Sequence, residues 1–443
     1  MGQISEAKLG MVRGLIELAP DDAVRNLLLA LSADRGHDDG LTRVQHLVEA
    51  EANDRRARNM VFGPIAPLCG AKGPFAGLAY PTRTLPLLWK TLKEIAPDQV
   101  ASAKSLASDW LSESSPELFD QLCALAACGL REREDAFAAV CDAADAGGGC
   151  DSLADCLDIA AVTRRALDQM PEWLGRMTGE KAAKLRLAYR DAVSISDDAG
   201  PRFFEMLAAH LTEPWLILRV ISGVMDRPTD TYLAGSELGS FGERVLADID
   251  RRLVEISAFK AVAGRQSAHT AAAAVHVATV EITEVDQSIH LTADGVWGKR
   301  IAKQKAQLAN TIEGHLKTTD AAVGQALPLQ TVRMGPRSAK GVPRLNHDPD
   351  ATAVEKAATL LIFMSEVRPS ANAGGFASAR AKALEVLENR LDTYVEDVLE
   401  EIRAEDGVDP DRARAFLEIA AELCGLARDE KAAQIVRRRA AAA

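Results

Sequence analysis

The chain has 443 residues, of which 47% are hydrophobic and 26% are charged, and these proportions exclude wholesale disorder. Its net charge of −12 excludes a generic nucleic-acid-binding or membrane-surface protein, although a local basic patch stays open. Aromatic residues make up only 5%, so the cores must be built from Ala, Leu, Val and Ile, which suits packed helices better than sheets. The sequence therefore predicts an all-α protein, a multi-helix array of helical hairpins with a coiled-coil-like bundle of long helices in the middle.

Helix starts are marked by prolines that an acidic residue follows directly. Proline at the first helical position loses no N–H that the helix needs, and the acid faces the positive end of the helix dipole. Five positions have this pattern: Pro20, Pro97, Pro116, Pro349 and Pro410. No alternating run with Asn-Gly or Asp-Gly turns occurs, so strands are not expected.

Residues 1–150 are predicted to form an N-terminal array of short helices. A Gly- and Pro-rich loop, 62–81, interrupts the array. Because this loop also carries apolar residues such as Ile65 and Leu68, we expect it to be ordered and packed onto the helices. Three consecutive glycines, 147–149, close the region.

Residues 151–326 are predicted to be helical and to end in long antiparallel helices over about 240–326. Apolar residues there recur at spacings of three and four, which is the seam of packed long helices. Gly264 and Gly295 interrupt the seam, so the stretch is either one long bent helix or two to three helices folded back. The folded-back bundle is favoured, because isolated long helices with weak seams are unstable.

Residues 327–349 are predicted to be a basic, Pro-rich linker without helical periodicity. Four basic residues in it are candidates for contact with an acidic partner or with phosphates: Arg333, Arg337, Lys340 and Arg344. No aromatic residue is interleaved to stack bases, so we do not expect nucleic acid as a partner. Residues 350–443 are predicted to return to helical hairpins.

The seven cysteines include no C-x-x-C pair, and most lie in apolar helical contexts, so we expect them to be free and reduced. The N-terminus lacks the basic and apolar regions of a secretory signal, and no apolar run approaches the ~18 residues of a membrane span. A cytoplasmic protein without a membrane span is therefore expected. The excess of Arg (36) over Lys (16), with abundant Ala, Asp and Gly, indicates a GC-rich bacterial genome.

Motifs for metal, nucleotide or nucleophile chemistry are missing: H-E-x-x-H, both Gly-rich phosphate loops and G-x-S-x-G. Asp286 and His290 are four residues apart, but the polar face of a long helix explains them. Cys69, near Lys72, is the first candidate among the cysteines for a reactive thiol, although an ordinary loop cysteine explains it too. We therefore assign no catalytic, cofactor-binding or metal-binding residue, and we expect no cofactor.

These features favour a non-enzymatic scaffold, adaptor or regulatory protein that acts through protein–protein contacts, with a protein partner or self-association. One alternative is an all-α enzyme whose pocket residues are scattered in the sequence, and another is nucleic-acid association through the basic linker. A deep pocket lined by charged residues would favour the enzyme, and a convex surface would not.

Overall fold

A computed structural model describes residues 6–33, 39–108, 116–196, 198–335, 338–404 and 409–443. In these ranges the chain is helical apart from one two-stranded sheet, so the all-α prediction is confirmed. The chain divides into two compact units, Met1–Asp226 (unit 1) and Arg227–Ala443 (unit 2). The boundaries predicted after residues 150, 326 and 349 each fall inside one of these units.

The described part of unit 1 contains twelve α-helices. They are α1 (Glu6–Leu18), α2 (Asp21–Ala33), α3 (Asp39–Val61), α4 (Thr84–Ile95), α5 (Pro97–Ser108), α6 (Pro116–Arg131), α7 (Ala138–Asp145), α8 (Cys150–Asp158), α9 (Ala160–Leu174), α10 (Gly179–Val193), α11 (Ala199–Ala209) and α12 (Ile217–Val224). Short 3-10 turns lie at Ala66–Leu68, Asp135–Phe137 and Pro214–Leu216. Helix α6 packs against α3, α5, α8 and α9, and its fully buried Leu122, Ala126 and Leu130 recur at helical spacing.

The Gly- and Pro-rich loop 62–81 is ordered, as the sequence analysis expected. Phe62, Ile65 and Tyr80 are buried, and the Tyr80 N–H donates to the Leu68 carbonyl at 2.7 Å. Gly147 lies against this loop, since a Cβ there would come within 2.5 Å of a main-chain oxygen. The three glycines therefore form a tight turn packed on the loop.

Cys141 of α7 and Cys150 of α8 form a disulfide, with their Cα atoms 4.9 Å apart. This pair corrects the expectation that all cysteines are free. The turn between α7 and α8 brings the two together, because Gly149 adopts φ +92°, a conformation that favours glycine. The five free cysteines of the described residues are Cys69, Cys123, Cys128, Cys156 and Cys424.

The described part of unit 2 contains eight α-helices and two strands. They are α13 (Asp230–Ala234), α14 (Gly239–Ser257), α15 (Arg265–Ser288), α16 (Val296–Ala326), β1 (Leu329–Gly335), β2 (Ser338–Pro343), α17 (Ala351–Glu366), α18 (Ala377–Ala404), α19 (Pro410–Ala427) and α20 (Glu430–Ala442). Short 3-10 turns lie at Ala261–Ala263 and Arg368–Ser370. Helix α17 packs against α15, α16 and α19, and α19 and α20 form a hairpin.

The stretch 240–326 is three helices, not one bent helix. The breaks fall at Gly264, with φ +86°, and at Gly295, which are the two glycines that interrupt the seam. Helices α16 and α14 run in the same direction, because Trp297 bonds Glu243 and Gln304 bonds Asp250. Helix α15 is the return between them, so the folded-back arrangement is the one the chain adopts.

The segment 327–349 is not wholly irregular. Strands β1 and β2 pair antiparallel within it, with Leu329 opposite Pro343 and Val332 opposite Lys340. The expectation that strands are missing is therefore wrong here. A ladder of main-chain hydrogen bonds holds the two strands, and such bonds leave little trace in the order of side chains when both faces carry mixed residues.

Candidate binding cleft

Unit 1 contains an open cleft of about 1200 Å³. It lies between the end of α1, the start of α2, α3 and α4, and the loop 62–81 adds Ala66 and Cys69. Acidic residues of the lining are Glu17, Asp21, Glu51 and Asp54, and basic ones are Arg55, Arg58, Arg83, Lys90 and Lys93. The cleft is thus polar and nearly balanced in charge, so its binding properties depend on which of these charges are already paired.

Arg55 on α3 holds the α1–α2 corner against the wall of the cleft. Its guanidinium donates to the main-chain carbonyls of Ile16 at 2.8 Å and Ala19 at 2.7 Å, where α1 ends. It also pairs with the carboxylates of Asp21 and Glu51, each at 2.7 Å. The side chain is only 8% exposed, so its bonds serve the packing of three helices and leave it little freedom to bind a ligand.

Asp21, at the first position of α2, is shared by three side chains of α3. Arg55 contacts one carboxylate oxygen, and Arg58 contacts the other at 2.9 Å, with Asn59 nearby. Burial acts to raise the pKa of Asp21, but Arg58 and the three hydrogen bonds outweigh it and hold that pKa below its ordinary value. Asp21 therefore remains an anion, and its charge is used in the contact between α2 and α3.

Asp54 forms the second ion cluster of the cleft. Lys93 of α4 contacts one oxygen at 2.9 Å, and Lys104 of α5 contacts the other. Burial raises the pKa of Asp54, yet the two ammonium groups outweigh burial and lower it overall. This cluster joins three helices, and both oxygens of its carboxylate already have a cation partner.

The cations of the cleft that have no ion-pair partner in the described residues lie on α4. Its inner face is buried, with Leu88 and Leu92 fully covered, and the opposite face carries Arg83 and Lys90. Both are exposed, line the cleft, and form no ion pair with any residue that the structure describes. They are seven residues apart, about 10.5 Å along the axis by helix rise, and half-buried Leu87 lies between them.

The lining offers no activated nucleophile. Burial raises the pKa of the Cys69 thiol to about 12, so Cys69 is a thiol and not a thiolate at neutral pH. Lys72 does not offset this effect. Most charged groups of the lining are paired with one another.

The predicted acidic-partner residues are spread over the hairpin of unit 2. Arg333 lies in β1, and Lys340, in β2, pairs with Asp397 of α18 at 3.4 Å. Arg344 follows β2 and contacts the His347 ring at 3.1 Å. Arg337 lies outside the described residues.

The four basic residues therefore stay a prediction as a contact surface. Lys340 already has an acidic partner in its own chain, which reduces the charge that this surface can offer.

Asp286 and His290, the pair spaced four residues apart in the sequence, are held by different contacts. Asp286 pairs with Lys305 of α16, and His290 lies beyond the end of α15, where its main chain bonds Pro228 and Asp230. Over the described ranges, no three His, Cys, Asp or Glu side chains are grouped so as to hold a metal ion.

The sequence analysis did not predict the cleft, although the spacing of residues within α4 indicates part of it. Leu85, Leu88 and Leu92 have helical spacing, which would place Arg83 and Lys90 together on the opposite, exposed face. That this face borders a cleft with α3 depends on contacts between segments about thirty residues apart, which periodicity does not report.

Comparisons with protein-family models, curated proteins and solved structures found no match for this chain. Its function is therefore argued from the chemistry of the cleft. Within the described residues, none of the helices is both long and apolar enough to cross a membrane.

Proposed function

We propose that this protein is a non-enzymatic helical scaffold or adaptor that acts through protein–protein contacts, with the cleft of unit 1 as its contact surface. One observation carries the proposal. Arg83 and Lys90 are exposed without an ion-pair partner in the described structure, whereas most other charged groups of the cleft neutralise each other. The cytoplasmic, bacterial setting predicted from the sequence is part of this proposal.

The paired charges support binding over catalysis. A general acid or base must change its protonation state during a reaction, and its pKa is best placed near the working pH. The pKa values of Asp21 and Asp54 lie below their ordinary range, and that of Cys69 lies at about 12, so none of these three groups is poised near neutrality.

Affinity capture with a cleft variant tests the proposal. The full chain and the double variant Arg83→Glu/Lys90→Glu are each used to capture proteins from the host cell. The matched control is Arg165→Glu/Arg190→Glu, which reverses two exposed cations on α9 and α10 outside the cleft. We expect the cleft variant to lose at least one protein that wild type and control both retain.

Identical captures by wild type and cleft variant would contradict the role of the cleft. Light scattering of the purified chain addresses self-association. A monomer that captures no protein at all would contradict the scaffold function as a whole.

The cleft also supports the alternative of an all-α enzyme or small-molecule binder, because it is a concave pocket lined by several charged residues. Its volume of about 1200 Å³ slightly exceeds the ~300–1,000 Å³ usual for small ligands. A thermal-shift screen of anionic metabolites distinguishes the two functions. A metabolite that raises the Tm of the wild type and the control, but not of the cleft variant, would favour this alternative.

A further inference from the structure

We infer that the occupant of the cleft is an acidic amphipathic helix of a partner protein, with two carboxylates seven residues apart and an apolar residue between them. This inference rests on the proposed function and names the chemistry of the partner. It follows from the free charges of the cleft, their spacing along α4 and the size of the cleft.

The free charge of the cleft is positive and lies on α4. Asp21 and Glu51 are neutralised by arginines of α3, and Asp54 by two lysines. In the described residues, Glu17 is the acid of the lining that has no cation partner. Arg83 and Lys90 are the two cations of the lining that have no acidic partner. Among these unpaired side chains the positive charges exceed the negative by one, on a chain whose net charge is −12.

This local excess selects for anions. A basic or neutral partner would leave Arg83 and Lys90 facing no opposite charge, whereas carboxylates placed beside them form charge-assisted hydrogen bonds. Complementary charges at the rim of an interface chiefly set which partner is accepted and how fast it associates.

The spacing of the two cations matches a helix. They are separated by seven residues, which is two turns and about 10.5 Å along the axis. A partner helix packed along α4 repeats its own side chains at the same rise, so acids at positions i and i+7 face the two cations. An apolar residue at i+3 or i+4 then meets half-buried Leu87.

The size of the cleft favours a segment of protein over a single anion. A lone phosphate or carboxylate suits one cation, while two cations set two turns apart suit two separate anionic groups. A cleft of about 1200 Å³ has room for one face of a helix, and helix-in-groove binding uses anchors at i, i+3 or i+4 and i+7.

Fluorescence anisotropy with designed peptides tests the inference on the full chain. Two labelled helical peptides of about 20 residues have the same composition. In the first, two glutamates flank a leucine at i, i+4 and i+7, and in the second one glutamate is moved to the opposite face. We expect the first peptide to bind about threefold more tightly than the second, since moving one glutamate removes one exposed ion pair.

Charge reversal provides the second arm of the experiment. The Arg83→Glu/Lys90→Glu variant should bind the first peptide about tenfold more weakly than wild type, and a version with lysines in place of the glutamates should bind this variant in preference. The Arg165→Glu/Arg190→Glu control should behave as wild type. Circular dichroism of each variant establishes that a loss of binding is not a loss of folding.

Three outcomes would overturn the inference. Equal binding of both peptides would refute the helical spacing, and competition by inorganic phosphate at the peptide's own concentration would point to a small anion. If neither peptide binds while the cleft variant still loses its captured cellular protein, the partner is not an acidic helix but the proposed function stands. The proposed function itself fails if the cleft variant captures the same proteins as wild type, or if a monomeric wild type captures no protein.

Discussion

At the scale of single residues, arginine closes helix ends in this protein. Arg55 donates to carbonyls at the end of α1, Arg164 to the Met60 and Val61 carbonyls at the end of α3, and Arg380 to the Met364 carbonyl of α17. The last four carbonyls of a helix have no partner within it, and the guanidinium fork can donate to several acceptors at once. The arginine excess, which the sequence analysis ascribed to genome composition, therefore has a structural use.

Replacing Arg55 tests this use. We expect Arg55→Ala to lower the free energy of unfolding by about 3 kcal/mol, because it leaves buried carbonyls and a carboxylate without their donor. Arg55→Lys keeps the charge but loses the fork, so we expect an intermediate loss. Urea denaturation measures both variants.

The matched control for Arg55 is Arg25→Ala. Arg25 pairs with Asp22 on the surface, with both side chains more than 70% exposed, so its loss should cost less than about 0.5 kcal/mol. Equal losses for the two alanine variants would show that Arg55 does not act through its buried bonds.

Glu281 of α15 is the most strongly perturbed acid of the interface between α14 and α15. It is 1% exposed, and burial, with adjacent Asp248, raises its pKa from 4.5 to about 9. Arg252 acts in the opposite direction, with its Nε 3.7 Å from the Glu281 carboxyl. At neutral pH the protonated Glu281 carboxyl donates a hydrogen bond to the Asp248 carboxylate, which Arg251 and Arg252 also contact.

This proton makes stability depend on pH. The folded chain keeps the proton between about pH 4.5 and pH 9, whereas the unfolded chain releases it, so the contribution of Glu281 is full below 4.5 and declines as pH rises toward 9. Glu281→Gln keeps an N–H donor and removes the titration. We expect the stability of the variant relative to wild type to rise with pH, by about 4 kcal/mol between pH 5 and pH 8.5.

Chemical denaturation at pH 5, 7 and 8.5 measures the difference between Glu281→Gln and wild type. Glu255→Gln, on an exposed side chain of α14, is the control and should show no such trend. A constant difference across the three pH values would contradict a raised pKa at Glu281.

At the scale of elements, the start of α16 is built around a buried carboxylate. Asp230 of α13 is 1% exposed and accepts hydrogen bonds from the Thr292 hydroxyl at 3.1 Å and the Gly298 N–H at 3.4 Å. Its negative charge faces the positive end of the α16 dipole. Gly295 has no side chain at the point where a Cβ would overlap the Asp230 carboxylate.

Alanine substitutions at Gly295, just before α16, and at Gly314, within α16, distinguish the effect of this close packing from that of helix propensity. Gly295→Ala should destabilise unit 2 by about 2 kcal/mol, because the carboxylate and its donors must move. Gly314→Ala, where a Cβ meets nothing within 4 Å, should be neutral or stabilise by up to about 1 kcal/mol. Thermal unfolding compares the two, and a stabilised Gly295→Ala would refute the close packing.

At the scale of the whole molecule, the chain has two units, each with its own buried core. We expect residues 1–226 and 227–443, produced separately, each to unfold cooperatively with native helix content. The control fragment, residues 1–150, ends at the boundary predicted from the three glycines. It separates α7 from α8 and α6 from its partners α8 and α9, so we expect it to unfold without a cooperative transition.

Circular dichroism during thermal unfolding measures all three fragments. Cooperative unfolding of residues 1–150, or its loss in 1–226, would show that the division lies elsewhere.

The sequence by itself determined the helices, because their starts and faces are set by neighbours along the chain. Helices α5, α6 and α19 begin at Pro97, Pro116 and Pro410, and the long stretch breaks at Gly264 and Gly295, where the pattern placed the breaks. Proline geometry, the helix dipole and apolar spacing all act within a few residues, so reading the chain locally is enough.

Only the tertiary structure decided what lies between the helices. The cleft exists because Arg55 joins α3 to the α1–α2 corner and Lys93 joins α4 to α3, and the disulfide exists because a turn returns Cys150 to Cys141. Hairpin β1–β2 is held by main-chain bonds, which side-chain patterns hardly record. In each case the two groups come into contact because of the course that the backbone takes between them. The spacing of residues in the sequence does not encode that course.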